Sequence, residues 1–567
     1  MTAAASPAAA AEMYDVVVVG AGVGGLTTAC VAAARGLTVA VVESAPQVGG
    51  TSAISGGMVW APGNSKAPER DDTLDAARLY LDGTVPGEEG RPAREAFLAS
   101  AGEAVDFLEQ HTAVQLRPVP SYPDYYPDTP GATAGGRVLE PVPFDGRRLG
   151  PAFALLRPPL PEFTLFGGMM VSRKDIPHFR KVGRSPRSTL IVARLVAKYA
   201  LQRLSAPRGT TLYLGNALVA SLLRSALDLK VRLILGTPVE ALHLTAGRVT
   251  GVVVEGEGGS RVIAARRGVC LATGGCSRDG ELRRTHVPEL AGALTATVAS
   301  GARQGGVRLA LAAGAHLGTG QGGGAFWVPA SRFIRADGTE AVFPHTVTDR
   351  GKPGLIAVDA TGRRFVNEAR SYHEFVSAML RTGRRAVPAF LICDSHFLWT
   401  YGLGRIKPFA PSVKADIASG YLKTARTIAG LAAVIGVPAE VLAATVTRFN
   451  SGAQKGIDPE FGRGGDIYQR HFGDADVTPN PCVAPIVKPP FYAVAVHPAD
   501  LGMAVGLATD AKARVLGPDD APIPGLYACG NDMHSVMNGA YPGPGITLGP
   551  ALTFGYIAAS TIAATPA

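Results

Sequence analysis

Four consecutive apolar residues, Val16–Val19, stand between Asp15 and Gly20. A run that is apolar at every position, rather than at alternate ones, predicts a strand buried on both faces. Gly20, Gly22 and Gly25 follow, then an Ala-rich stretch that predicts a helix ending near Gly36. A second apolar strand, Thr38–Val42, carries Glu43 at its tip. Further on, "GTPVEALHLTAGRVTGVVVE" predicts two strands joined by a turn, and "RRGVCLATGGCSRD" predicts a buried strand running into a glycine turn at Gly274 and Gly275. Near the end, "GAYPGPGITLGPALTFGYIAA" changes from a turn of Pro and Gly around Tyr541 to an apolar helix, with Pro550 near its first turn.

Strand, glycines, helix, second strand and terminal carboxylate fall in the order of a βαβ dinucleotide-binding unit. The N-terminus of the helix suits a pyrophosphate, and Glu43 suits the ribose hydroxyls. The chain has 567 residues, room for two large domains. With 47% hydrophobic and 18% charged residues it reads as globular, apart from a small-residue tail, "MTAAASPAAAAE". That tail lacks the basic start and apolar stretch of a secretory signal, and no uninterrupted apolar run predicts a transmembrane helix. The net charge of +9 is spread along the chain with no basic tract among aromatics, which argues against a nucleic-acid partner. Six cysteines without a CxxC pair predict buried free thiols, a reducing cytoplasmic setting and no metal site. There is no coherent Ser/His/Asp or Cys/His constellation, and no amphipathic basic helix for docking to a membrane complex.

Separating FAD from NAD rests on Gly49–Asn64, "GGTSAISGGMVWAPGN", which packs Gly, Ser and Thr directly after the second strand. This segment resembles the flavin-lining segment of the FAD-dependent fumarate reductase and 3-ketosteroid dehydrogenase superfamily. The resemblance implies an α/β fold: a Rossmann-like FAD domain of the glutathione-reductase type with an inserted α+β cap. The FAD domain would comprise residues 1–325 and 496–567, and the cap residues 326–495. The implied FAD contacts are Gly20, Ala21, Gly22, Gly25, Glu43, Ser44, Gly50, Thr51, Ser52, Gly56 and Gly57 from the first unit. Val239 would lie at the adenine, Gly274 at the glycine turn, and Asn531 and Asp532 in "GLYACGND" would close the site, with His534 near the flavin. Thr547 and Leu548 would direct backbone N–H groups at the flavin pyrimidine. Covalent relatives carry a histidine in the Gly-rich segment; its absence here implies non-covalent FAD.

Chemistry enters with "GRRFVNEARSYHEFV", Gly362–Val376. Fumarate reductases share a similar "RFVNE", followed four residues after the glutamate by a proton-donating arginine. Here that position is Tyr372, as in the 3-ketosteroid Δ1-dehydrogenases, where the tyrosine removes a proton beside the ketone. Arg370 lies two residues out of register for the arginine role. Tyr541 and Gly545 match the tyrosine and glycine that hold the substrate carbonyl in those dehydrogenases. A second tyrosine supports the base there; the candidates are Tyr122, Tyr125 and Tyr126, with Tyr125 or Tyr126 favoured. The resemblance thus implies a ketone substrate, a steroid first and a smaller cyclic ketone second, desaturated by proton abstraction and hydride transfer to flavin, with an external electron acceptor. Running as an ene-reductase, acting as a fumarate reductase, or serving as an electron-transfer subunit are the rival functions. The segment Ser121–Pro161 is rich in Pro, Gly and Tyr and is expected to be a long functional loop.

Overall fold

A computed structural model of the chain describes residues 12–66, 72–256, 259–290, 292–298, 305–320 and 322–566. The tail predicted to fray lies outside these residues except for Glu12. Strand β1 (Glu12–Val19) leads into α1 (Val23–Ala34) and β2 (Val39–Val42). Val16, Val17 and Val18 have no exposed surface, as the unbroken apolar run requires. Gly25 is needed for a close approach, since a Cβ there would sit 2.0 Å from the Gly20 carbonyl oxygen.

After a long basic helix, α2 (Pro186–Arg203), the chain forms β3 (Arg232–Ile234), β4 (Val239–Thr245), β5 (Arg248–Gly256) and β6 (Gly259–Leu271). Residues of a second sheet follow: β7 (Ala325–Ile334), β8 (Glu340–Pro344), β9 (Leu355–Val358), helix α3 (Tyr372–Arg381), β10 (Ala389–Asp394) and β11 (Phe491–Met503). The chain then returns to the first sheet with β12 (Arg514–Leu516) and β13 (Pro522–Ala528) and ends in α4 (Leu548–Ala564). The first sheet runs β12-β13-β6-β1-β2-β3, with β5 paired to β6 and β4 to β5. Its centre is parallel: β1 lies between β2 and β6, and β13 lies beside β6. A parallel centre places the strand ends, the glycine turns and the start of α1 at one edge, where α/β folds bind nucleotides. The second sheet is antiparallel along β8-β7-β11-β10-β9.

Three expectations need correction. First, the boundary drawn at 495 falls inside β11, and Leu294–Thr295 already pairs with that strand, so the second sheet reaches beyond 326–495 at both ends. Second, Ser121–Pro161 is more regular than its composition suggests. It contains the strand Val138–Pro141, paired with Val59–Trp60 and Leu116–Pro118, and a 3₁₀ stretch over Gly146–Leu155. The cause is Arg137, fully buried and ion-paired with Asp124 at 2.8 Å and Asp72 at 2.6 Å, which ties the segment to its neighbours.

Helix α2 is basic without being amphipathic: Leu190 and Leu201, 51% and 68% exposed, share one face with Arg187, Arg194 and Lys198 at i+3 and i+4 spacing. Third, a Ser–His–Asp chain does exist, with His345 Nε2 2.7 Å from Ser331 Oγ and Nδ1 2.6 Å from Asp349. Ser331 is only 1% exposed and its hydroxyl also meets Tyr421 at 2.8 Å, so this chain ties β7 to the turn after β8 and meets no reactant. All six cysteines are free and buried. Among the described residues no helix is long and apolar enough to cross a membrane, and no cluster of His, Cys, Asp or Glu could hold a metal ion.

Candidate active site

Helix α3 begins at Tyr372, with the Ser371 hydroxyl accepting the Glu374 N–H as its cap. The preceding residues are fixed by buried charge. Arg364 forms two hydrogen bonds to Glu368, at 2.9 and 2.7 Å, and two to Asp458, at 2.7 and 2.8 Å. Arg463 adds a 3.3 Å contact to Glu368, whose carboxylate also accepts the Ala357 N–H. Burial opposes the charge of both arginines. Two carboxylates outweigh it for Arg364, whose pKa is raised, whereas Arg463 is lowered because its partners are mostly carbonyls.

Tyr372 therefore enters the site from a rigid base. The Tyr125 hydroxyl donates to the Tyr372 oxygen at 3.0 Å. The ring of Tyr541 lies 5.0 Å from that of Tyr372, edge-on, and 5.7 Å from that of Tyr125, stacked. Phe326, His373 and Tyr468 enclose these rings. Burial raises the pKa of Tyr372 well above its ordinary value, the nearby Tyr541 raises it further, and the bond from Tyr125 opposes the rise. Tyr541 is pushed up to about 12 by burial, against a hydrogen bond with Tyr372. His373 is lowered to about 4 by burial and stays neutral, its Nδ1 accepting the Trp327 N–H.

The turn that carries Tyr541 is held from three directions. The Pro542 carbonyl accepts from the Tyr80 hydroxyl at 2.6 Å and the Tyr125 N–H at 2.9 Å. Gly545 has φ +90°, and a Cβ there would come within 2.6 Å of the Met58 carbonyl oxygen. Its carbonyl accepts from Trp60 and Gly549, while its own N–H has no acceptor among the described residues. Trp60 in turn donates its indole N–H to Asp124 at 3.0 Å.

Of the predicted residues, Tyr372, Tyr541, Gly545 and Tyr125 lie in or against this cluster. Tyr126 does not: its N–H meets the Tyr80 hydroxyl and its phenol lies nearer Glu374 and Arg370. Arg370 pairs with Glu374 at 2.9 Å, away from the phenols. Tyr80, Trp60, Asp124 and Arg137 were not anticipated. The one local signal was an acid among aromatics in "PDYYPD".

On the nucleotide side, Glu43 accepts the Ala21 N–H at 2.8 Å and the Ala45 N–H at 2.9 Å while remaining half-buried, and Ser44 bonds to it at 3.2 Å. Ser52 Oγ accepts the Val23 N–H at the start of α1, and Thr51 accepts the Val298 N–H. Built Cβ atoms on Gly50, Gly56 and Gly274 would meet nothing within 4 Å, whereas one on Gly57 would strike the backbone of Gly215 at 2.3 Å. A glycine-lined open space thus abuts the positive end of α1, as a dinucleotide requires. Val239 is buried at the start of β4, close to the Glu43–Ala45 edge, which accepts from Gly236 and Thr237. Thr547 and Leu548 begin α4.

Asp532 differs from the other predicted contacts. Fully buried, it accepts from the Thr273 hydroxyl and the Gly275 N–H, both at 2.8 Å, so its carboxylate holds the glycine turn rather than facing the open space. Asn531 packs against Gly275 and Gly502. His534 is buried against Gly318, with Glu89 3.8 Å away.

Residues 15–548 match the FAD binding domain family. The chain is 38% identical over 557 residues, 97% of its length and 93% of the other's, to the 4-oxocyclohex-2-ene-1-carboxylate 5-dehydrogenase of Sinomonas cyclohexanicum. It is 36% identical over 574 residues, 98% of both chains, to the 3-oxosteroid 1-dehydrogenase of Mycolicibacterium smegmatis. Its fold matches the crystal structure of 3-ketosteroid delta1-dehydrogenase from Sterolibacterium denitrificans in complex with 1,4-androstadiene-3,17-dione, with a TM-score of 0.90 and 40% identity over 98% of this chain and 100% of that one. Fold and site together define a flavoprotein oxidoreductase. The chain belongs to the FAD binding domain family, and its cofactor is FAD.

Two predictions concern the cofactor. Acid precipitation of the yellow holoprotein should release the flavin into the supernatant, because Gly49–Asn64 contains no histidine to bond it covalently; flavin retained in the pellet would refute this. Glu43→Gln should weaken FAD about tenfold to a hundredfold, the loss of one charge-assisted hydrogen bond. Titration of the apoprotein with FAD tests it, and an unchanged Kd would assign the ribose to another group.

Proposed function

We propose that the protein removes hydrogen from adjacent carbons of a cyclic ketone and leaves an α,β-unsaturated ketone. The observation that carries this reading is the Tyr125–Tyr372–Tyr541 cluster beside the N–H of Gly545, which has no acceptor among the described residues. The Tyr541 hydroxyl and the Gly545 N–H would hold the carbonyl oxygen and stabilise the enolate-like charge that grows as the α-proton leaves. Tyr372 takes that proton. Tyr125, donating to the Tyr372 oxygen, favours its phenolate and counters the burial that disfavours it. When bound, FAD supplies the hydride acceptor and an external oxidant regenerates it.

The ring bound by the carbonyl is of the size shared by ring A of a 3-ketosteroid and a 4-oxocyclohexane ring, as in the named activities of the relatives. The second sheet, centred on residues 326–495, acts as the cap that brings Tyr372, and the C-terminal return brings Tyr541 and Gly545. Six unpaired thiols favour a cytoplasmic setting.

The test is anaerobic addition of cyclic ketones to the oxidised holoprotein. Bleaching of the flavin band with formation of the matching enone is expected. Failure to bleach with any ketone, coupled with rapid reoxidation of reduced enzyme by an enone, would reverse the assigned direction and make Tyr372 an acid.

A further inference from the structure

Arg173 stands at the edge of the phenol cluster. Its guanidinium lies 5.4 Å from the Tyr122 ring centre, and Nη2 is 3.5 Å from the Met58 sulfur. The hydroxyl of Tyr122 faces both Arg173 and Tyr125, and the Met58 carbonyl backs Gly545. Arg173 thus touches one neighbour of the base and one neighbour of the carbonyl site.

Its charge is otherwise unused. Among the described residues it forms no ion pair, and the Met58 sulfur is a weak acceptor. Two basic side chains further along are differently placed: Arg180 lies 4.0 Å from Asp474, and Lys181 pairs with Asp476 at 3.2 Å. The aromatic neighbours of Arg173 are uncharged near neutral pH. His471, its ring tilted 5.1 Å from that of Tyr122, is lowered to about 4 by burial and by the cations Arg173 and Lys352. Tyr122 itself is raised by burial, against the pull of Arg173.

An exposed guanidinium beside an aromatic ketone site has one natural complement, a planar anion that can accept two of its N–H groups. A wholly apolar substrate body would instead strip water from Arg173 and return no hydrogen bond.

Resting on the desaturation reading above, we infer that Arg173 selects a cyclic ketone that carries a carboxylate, with the ketone on Tyr541 and Gly545 and the carboxylate on the Arg173 guanidinium. The carbonyl end and the anionic end are then read by different elements, the C-terminal turn and the segment before α2. A small oxo-acid is held at two points, which also fixes which ring carbon faces Tyr372.

The experiment compares 4-oxocyclohexanecarboxylate, its methyl ester and a neutral 3,17-diketosteroid on wild type, Arg173→Gln and Arg173→Lys holoenzyme. Calorimetric Kd is measured beside KM and kcat with a dye acceptor. Wild type should favour the acid over the ester, and Arg173→Gln should erase that ratio through a rise of about tenfold to a hundredfold in Kd and KM for the acid. Arg173→Lys should recover part of the preference, because it restores charge but not the bidentate fork. Rising salt should weaken the acid and spare the ester.

The proposal is overturned if wild type binds ester or diketosteroid as well as the acid. It is equally overturned if Arg173→Gln weakens acid and ester alike. If no ketone is turned over, the desaturation reading fails, while the Kd ratio of acid to ester still decides the role of Arg173.

Discussion

Tyr372→Phe should reduce kcat by roughly 10²- to 10⁴-fold, the range for loss of a general base, while ketone binding, seen as a perturbation of the oxidised flavin spectrum, persists. Tyr541→Phe should differ in kind. It removes one of two donors to the carbonyl oxygen, a loss of about 10²- to 10³-fold that falls mainly on kcat. The pH profiles separate the two roles. Burial raises the Tyr372 phenol well above its ordinary value, with Tyr541 adding to the rise and Tyr125 opposing it. Wild-type kcat should therefore climb with pH into the alkaline range as the phenolate forms. Tyr125→Phe removes the donor that stabilises that phenolate, so the climb should move to higher pH; Tyr372→Phe should flatten it. Near-normal turnover with an unchanged climb in Tyr372→Phe would remove the base from this position.

The second large effect is on stability. Glu368→Gln keeps the shape of the side chain but takes a negative charge from between two buried guanidiniums, at 2.7 Å from Arg364 and 3.3 Å from Arg463. Breaking one member of a buried ionic network costs about 3–5 kcal/mol, because the remaining charges stay desolvated. The expected result is a markedly lower urea midpoint and a loss of turnover that follows the displacement of Tyr372. Arg370→Gln is the control, since its pair with Glu374 lies at the surface, with the arginine side chain 55% exposed, and surface pairs contribute about 0–1 kcal/mol. Equal midpoints for the two variants would mean that the network does not hold α3.

What could be read from sequence followed chain proximity. The unit from Val16 to Glu43 was legible because strand, turn, helix and carboxylate lie within one short stretch, and each obeys its own period. The strand pair from Val239 and the buried strand ending before Gly274 were legible for the same reason. The tyrosine cluster was reached through motif resemblance, since Tyr125, Tyr372 and Tyr541 are hundreds of residues apart and no local pattern links them. Choosing Tyr125 over Tyr126 required the side-chain direction in an irregular segment, which composition does not specify. The role of Asp532 was hidden in the same way. An acid beside a glycine turn looks like a ligand until the Thr273 and Gly275 donors are seen to occupy it. Arg137 shows the limit most plainly: its two carboxylates, Asp72 and Asp124, come from different segments and turn a Pro/Gly-rich stretch into a paired strand.

The interleaving of the two sheets has a consequence for biosynthesis. Strand β6 acquires its neighbour β13, and α1 its neighbour α4, only from residues 522–564; the Gly24 carbonyl is backed by Gly555. A nascent polypeptide can complete the cap sheet's strands up to β11 while Tyr541 and Gly545 are still untranslated or within the ribosomal tunnel. Until those segments dock, the nucleotide cleft has no far wall, and the Gly-rich face of α1 is bare. Between cap assembly and docking of the C-terminal segment the apolar α1 face stays open to other chains, the kind of surface that makes a folding intermediate prone to aggregate.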